Sequence, residues 1–253
     1  MLKKYINQLE KDLLISENQV SEVKSFLMQV HYSKILPYVL KAKNNPEIKD
    51  KWGYVITSYY NNIQLSNFIY PYIYLIETVL KTRISNLICH SFGNNWYKDL
   101  ELLSNVSKES KEYIKSFVES YLSKTKSEKQ DINDFIENGT TLGFWVSIID
   151  SGYFWDSKEI QLRDIFAEGE IAKTMLSKKQ IANKIKGIND LRNKIAHFNN
   201  IYDCLISQRK GNLYKFEDIF NHILYLSSLM NFDIKKQVES FEKTENIELT
   251  QTV

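Results

Sequence analysis

The chain has 253 residues, with a 43% hydrophobic share and a 25% charged share, both ordinary for a folded soluble protein. Eight glycines and three prolines leave few forced breaks, which favours long helices over a strand-rich fold with many turns. These figures exclude collagen-like, disordered and disulfide-scaffold proteins, and a chain of this length buries a sizeable core without staples. We therefore expect an all-α fold in one domain, residues 1–253.

The cysteines and the N-terminal sequence predict a cytoplasmic protein. Cys89 and Cys204 have no partner motif, and the first seven residues lack the apolar segment of a secretory signal. Residues 52–76 carry no charge, but polar side chains interrupt them at Asn61, Asn62, Gln64, Ser66 and Asn67. They fail the requirement for about 20 mainly apolar residues in a membrane span. We interpret this stretch as buried core and expect no membrane contact.

Charge is distributed unevenly along a chain whose net charge is only +2. Residues 171–215 carry ten basic and two acidic side chains, a net charge of +8, whereas residues 216–253 carry seven acidic and three basic ones. A basic block is expected in a protein with a phosphate-rich partner. On charge alone, a solvated lysine face explains it equally well.

Hydrophobic spacing predicts helices along most of the chain. Residues 1–45 have helical spacing up to the loop signal Asn44-Asn45-Pro46, and a second helical stretch begins near Trp52. Residues 68–88 show the clearest pattern, and residues 104–129 read as an exposed helix with a loop at 123–127. Residues 139–150 permit helix or strand. Further helices are predicted at 181–197 and 216–232, and the tail after Phe241 is expected to fray.

One arginine falls inside the apolar stripe of the 68–88 helix. Arg83 lies about 20° from Ile76 around an ideal helix, and Glu77 lies on the shoulder of the stripe. An isolated buried charge is strongly disfavoured, so Arg83 needs a partner. A buried ion pair or a snorkelling stem is one explanation, and a role in a site or subunit contact is the other.

The segment from Arg192 to His197 is the one constellation that suits chemistry. No histidine of the chain has a second His or Cys at metal-ligand spacing, and motifs for phosphate loops or nucleophile elbows are missing from the sequence. Asn193 and His197 share a helix face, whereas Arg192 lies about 140° away from His197. Ile195 stays on the core face while His197 points away from it. On this pattern alone, an incidental exposed histidine is the more frequent case.

The string Arg192-Asn193-Lys194-Ile195-Ala196-His197 resembles the Arg-x4-His motif of the HEPN superfamily of all-helical RNases. Three further features resemble the Abi family of phage abortive-infection proteins (AbiD/AbiF-like). They are the strings at 76–83 and 142–149 and the spacing of Tyr202 after the motif, and the resemblance covers residues 55–225. The chain departs from the family at Lys81, and at Phe198-Asn199-Asn200, where members often carry a basic residue.

The resemblance implies a HEPN-like helical bundle with additional N-terminal and peripheral helices. It also implies an abortive-infection toxin that acts as a metal-independent endoribonuclease without a cofactor. A ribose 2′-OH would attack the adjacent phosphate, with His197 transferring protons, Arg192 stabilising charge and Asn193 orienting a group. Supporting roles fall to Glu77, Arg83 and Tyr202, and we expect Glu77 or Arg83 to lie within reach of the motif. The residues expected to bind RNA are Lys184, Lys186, Lys194, Arg209 and Lys210.

The implied partners are RNA, as substrate or regulatory small RNA, a cognate antitoxin and a second copy of the chain. Each chain offers one motif histidine, whereas the reaction needs a proton acceptor and a donor, so we expect a homodimer. Two alternatives stay open. One is a non-catalytic RNA-binding module held by a small RNA or protein antitoxin, using the basic block and the 16 tyrosines. The other is a helical interaction protein in which Arg192 pairs with an acid such as Glu77 and His197 is packed.

Overall fold

A computed structural model describes residues 2–99, 101–123, 132–150, 165–166, 177–201, 206–207 and 213–240. Within these ranges the sheet content is one pair of two-residue strands, so the predicted all-α class is confirmed. The elements are α1 (Leu2–Leu13), α2 (Glu17–Gln29), α3 (Tyr32–Asn44), α4 (Lys51–Phe92), a 3₁₀ turn (Trp96–Lys98), α5 (Lys108–Ser123), α6 (Ile132–Gly139), α7 (Leu142–Ile149), α8 (Lys178–Ala196), β1 (Ile206–Ser207), β2 (Leu213–Tyr214), α9 (Phe216–Leu229) and α10 (234–240). Most of the predicted 123–127 loop, Tyr202, Arg209, Lys210 and the tail after 240 lie outside the described residues.

The helical spacing of residues 1–45 resolves into three helices with local stop and start signals. Leu14 follows α1 with φ of 54°, a left-handed conformation that ends a helix, and its side chain is 79% exposed. Ser16 and Gln19 form a capping box at the start of α2. His31 caps α3 by accepting the Ser33 N–H at 3.3 Å. Apolar spacing therefore predicted the helices but not the residues at which they break. Leu14, although apolar, is exposed and does not pack in the core.

The tyrosine-rich stretch and the 68–88 helix form one 42-residue helix, α4. Pro71 lies inside it, where proline removes one backbone donor from the helical ladder. Interpreting residues 52–76 as buried core is correct for one side of α4 only. Trp52, Val55 and Ile69 are buried, whereas four aromatic residues of α4 are 51–62% exposed: Tyr60, Phe68, Tyr70 and Tyr74. Among the helices of the described ranges, none is both long and apolar enough to cross a membrane.

The chain divides into two compact units, each built from two chain segments. Unit 1 comprises Met1–Tyr70 and Leu191–Ile206, and unit 2 comprises Pro71–Asp190 and Ser207–Val253. The three boundaries fall within α4, within α8 and between the two residues of β1. The motif from Arg192 to His197 therefore belongs to unit 1. The expectation of a single domain stays a prediction.

The core of unit 1 is formed by α1, α2, α3 and the first part of α4. Trp52 packs edge-on against Phe26 at 5.8 Å between ring centroids, and its indole N–H donates to Glu22 at 3.2 Å. Asp12 on α1 pairs with Lys43 on α3 at 2.8 Å, and this hydrogen bond lowers the pKa of the Asp12 carboxyl. The buried side chains at the centre are Leu9, Leu13, Val23, Leu27, Ile35, Tyr38, Val39, Ala42, Trp52 and Val55.

The segment that permitted either helix or strand is helical and lies in the core of unit 2. Six of the eight residues of α7 are buried. A segment buried nearly all round has no amphipathic period, so the sequence could not separate the two structures. Trp145 donates its indole N–H to Thr140 Oγ1 at 2.9 Å, and Trp96 donates to Asn133 at 2.9 Å. The two indoles lie 5.7 Å apart, with both polar groups satisfied inside the core.

His222 on α9 is buried in unit 2, with 8% of its surface exposed. Burial lowers its pKa from 6.5 to about 4, because a buried site disfavours the charged imidazolium, and the nearby Lys184 ammonium adds to the effect. The folded protein therefore keeps His222 neutral at pH values where the unfolded chain protonates it.

We predict that this histidine makes unit 2 less stable in mild acid. The unfolded state binds the extra proton between about pH 6.5 and pH 4, so stability falls as the pH falls through this window and levels off below it. Between pH 7.5 and 4.5 the loss amounts to roughly 2–3 kcal/mol. Urea unfolding of wild type and His222→Gln at both pH values measures it. The loss of unfolding free energy in His222→Gln should be smaller than in wild type by this amount. The control His90→Gln, at an exposed histidine, should behave as wild type does. Equal losses in all three proteins would refute the assignment.

Candidate functional site

The motif occupies the last turn of α8, as the spacing predicted. Leu191 and Ile195 are buried, Arg192 and Asn193 are half-buried, and His197 is exposed directly after the last helical residue. The His197 N–H donates to the Asn193 carbonyl at 3.1 Å, which continues the helical ladder. His197 thus lies opposite the core face, and its imidazole is open to solvent.

Arg192 reaches the same region through its side chain. Its Nη1 donates to Asn193 Oδ1 at 3.3 Å, although the two residues point in different directions around the helix. The contact places the guanidinium beside the amide of Asn193, which shares its helix face with His197. A permanent cation, an amide and an imidazole are therefore presented together at one helix end.

The backbone fixes the position of His197 through a left-handed helix ending. Phe198 has φ of 52°, its N–H donates to Ile195 O at 2.9 Å, and the Asn199 N–H donates to Lys194 O at 2.8 Å. These two bonds form a Schellman ending, in which the left-handed residue is usually glycine. A residue with a Cβ at this position costs about 1–2 kcal/mol. Phe198 occupies this unfavourable position although 76% of its surface is exposed.

Two side chains from other helices hold the segment after the motif. Lys34 on α3 donates its ammonium to the His197 carbonyl at 2.6 Å. Asn62 on α4 accepts the Ile201 N–H at 2.7 Å and donates to the Asn199 carbonyl at 3.4 Å, with 6% of its surface exposed. Sequence reasoning missed both residues, because they precede their partners by 137 to 163 positions and belong to no local motif.

A pocket of about 230 Å³ adjoins the motif within unit 1. Two lysines from different helices, Lys34 and Lys194, contribute to its wall, together with the exposed ring of Phe198. The lining residues are Ser33, Lys34, Pro37, Lys194, Phe198, Asn199 and Asn200. Positive charge, amide groups and an aromatic ring are the groups that proteins use to bind single-stranded nucleic acid.

Two of the other predicted RNA-binding residues, Lys184 and Lys186, have contacts of their own in unit 2. Lys184 places its ammonium 5.5 Å from the centre of the Tyr225 ring, and burial lowers its pKa. Lys186 pairs with Asp150 at 2.5 Å. Both belong to unit 2, and Arg209 and Lys210 lie outside the described residues. Lys194 belongs to the motif and lines the pocket, and RNA binding by all five residues stays a prediction.

Glu77 and Arg83 contact backbone groups of unit 2. Glu77 Oε1 accepts the N–H of Leu142, the first residue of α7, at 3.2 Å. Arg83 donates to the carbonyls of Ile165 at 3.0 Å and Met230 at 2.8 Å. Hydrogen bonds to carbonyls therefore account for an arginine in an apolar stripe. Glu77 and Arg83 belong to unit 2, whereas the motif belongs to unit 1. That either residue lies within reach of the motif therefore stays a prediction.

The two family-like strings at 76–83 and 142–149 meet at the junction of α6 and α7. Lys81 donates to the Thr140 carbonyl at 2.7 Å, and Thr82 donates to Glu137 Oε1 at 2.6 Å. Together with the Glu77 contact, these bonds anchor the start of α7 to α4. Both strings therefore have a structural explanation within unit 2.

Over the described ranges, three or more His, Cys, Asp or Glu side chains do not come together as metal ligands would. The fold and the motif define an all-helical protein with an exposed histidine at the end of α8. A family model described as Abi-like protein matches residues 25–203, most of the chain. The chain therefore belongs to the Abi-like protein family, which indicates a role in abortive infection. No curated protein and no solved structure gives a significant match.

We predict that Asn62 positions the motif without taking part in chemistry. Asn62→Ala leaves the buried Ile201 N–H and the partly buried Asn199 carbonyl without this side chain, which costs roughly 1–3 kcal/mol of stability. The segment after His197 should also exchange its amide hydrogens faster. Thermal unfolding and hydrogen exchange measure the two effects. The matched change Asn67→Ala, at an exposed position of the same helix, should leave both unaltered; slow exchange retained in Asn62→Ala would contradict the role.

Proposed function

We propose that this Abi-like protein is a HEPN-type, metal-independent endoribonuclease that acts as an abortive-infection toxin. The observation that carries the proposal is the exposed side chain of His197, whose backbone is held at a helix end that also carries Arg192 and Asn193. A histidine placed for a structural purpose would be packed. This one has its backbone held by Lys34 while its ring stays open to solvent.

The reaction requires a proton to leave the ribose 2′-OH and another to reach the departing 5′-oxygen. The bond from the 2′-oxygen to phosphorus forms as the bond from phosphorus to the 5′-oxygen breaks, leaving a 2′,3′-cyclic phosphate and a 5′-OH. Histidine suits proton transfer near neutral pH, so His197 takes that role. Arg192 offers a planar, permanently charged fork for the phosphate oxygens, and Asn193 orients one of the reacting groups.

We predict that the purified protein cleaves RNA in the presence of EDTA and that His197→Ala abolishes cleavage. Loss of a proton-transfer group costs about 10²–10⁴-fold in rate. Arg192→Ala should also lose activity, by about 10²–10³-fold, because charge at phosphorus is no longer stabilised. The assay is gel analysis of RNA fragments, with end-group chemistry for the cyclic phosphate.

The controls separate chemistry from folding. His197→Ala should unfold at the wild-type temperature, because the ring contributes to no core, and His90→Ala should cleave normally. Arg192→Lys should retain part of the activity, since it keeps the charge and loses the fork. Cleavage that persists in His197→Ala, or that needs added Mg²⁺, would overturn the mechanism. Tight RNA binding without cleavage by wild type would instead support the non-catalytic module, held by a small RNA or protein antitoxin.

We also predict that the active form is a homodimer. One chain offers one motif histidine, and the reaction needs an acceptor and a donor, so two motifs acting together meet the requirement. Sedimentation across a dilution series, measured beside RNase activity, checks this. The specific activity should fall in parallel with the dimer fraction. A monomer at micromolar concentration with undiminished activity would rule out the two-motif site.

A further inference from the structure

We propose that the pocket beside the motif is the subsite for the RNA nucleotide next to the cleaved bond, with Phe198 stacking on the base and Lys34 and Lys194 binding the phosphate. This inference rests on RNA being the ligand of the proposed function. It adds two residues, Lys34 and Phe198, that neither the motif nor the family resemblance marks.

Phe198 carries the argument for a base. It occupies a left-handed position that glycine fills at lower cost, and it exposes 76% of its surface rather than packing in a core. The backbone conformation therefore gives no reason for a phenylalanine here rather than glycine. An exposed aromatic ring directly after His197 is the kind of group that stacks on an unpaired base.

The two lysines carry the argument for a phosphate. Lys34 comes from α3 and Lys194 from α8, and both line the same pocket. One N–H of the Lys34 ammonium goes to the His197 carbonyl, and an ammonium has three donors, so the group can bind an anion while keeping that bond. Lys34 would therefore bind the anion and hold the backbone of His197, the residue that we assign to proton transfer, at the same time.

The size and composition of the pocket favour single-stranded RNA over a folded duplex. A pocket of about 230 Å³ has room for a single base, and stacking on Phe198 requires a base that is free of its neighbours. The amides of Asn199 and Asn200 also line the pocket and supply hydrogen-bonding groups to a base edge.

The decisive experiment compares Phe198→Gly with Leu14→Gly. Leu14 is a matched control in the same unit, because it has φ of 54°, is 79% exposed and does not line the pocket. Both variants relieve a left-handed residue, so both should unfold at a temperature equal to or above that of wild type. The probe is a fluorescein-labelled 2′-O-methyl decaribonucleotide, which is not cleaved because its methylated 2′-oxygens cannot attack phosphorus. Only Phe198→Gly should weaken binding to this probe, by about 10-fold. Phe198→Tyr should bind as wild type does.

A second arm tests the phosphate contacts by their salt dependence. Lys34→Gln and Lys194→Gln should each weaken binding about 5-fold and lower the slope of log affinity against log salt by about 0.7. Lys24→Gln removes the same charge from an exposed position on α2, and its salt slope should match that of wild type. Equal slopes in all four proteins would refute the phosphate assignment.

The outcomes distinguish failure of the subsite from failure of the proposed function. If wild type cleaves RNA through His197 while Phe198→Gly binds the decaribonucleotide as wild type does, the subsite is wrong and the nuclease stands. If wild type binds through Phe198 and both lysines but cleaves nothing, the subsite stands and the nuclease is wrong. A Phe198→Gly protein that loses both stability and binding would show that the ring serves the fold, which also overturns the subsite.

Discussion

Polar side chains of α4 satisfy backbone groups that other helices leave unpaired at their ends, and the positions of those helices depend on this. Every α-helix leaves N–H groups at its start and carbonyls at its end without partners inside the helix. Glu77 accepts the N–H at the start of α7, and Arg83 donates to the carbonyl that follows α9. In unit 1, Asn62 plays the same part for the segment after α8. One long helix therefore supplies the caps that local sequence does not.

The capping of other helices by side chains of α4 explains why charged and amide residues interrupt the apolar stripe of α4. A buried backbone N–H or carbonyl without a partner costs about 1–3 kcal/mol, so a side chain that supplies the partner stabilises the fold even where it displaces an apolar residue. An arginine has several donors in a fork and can serve two carbonyls at once, as Arg83 does. These hydrogen bonds give the family-like string at 76–83 a structural role.

The sequence allowed the helices to be predicted more fully than the contacts between them. Amphipathic spacing located α8 and α9, because one face of each is buried. It gave no decision for α7, where six of eight residues are buried, and it could not show the breaks at Leu14 and His31. The motif was found from its six residues, whereas Lys34 and Asn62 depend on how distant helices meet, which periodicity does not encode.

The placement of the motif at the end of α8 raises an electrostatic requirement that the neighbouring residues meet. The carboxyl end of a helix carries about half a negative charge, which disfavours a phosphate. An anionic ligand is therefore stable beside His197 only where cations outweigh that charge. Lys34 places its ammonium on the His197 carbonyl itself, Lys194 lies in the last turn of α8, and Arg192 lies just before that turn. Basic residues around this helix end thus do two things at once, because they offset the helix dipole and supply the positive charge that an RNA backbone requires.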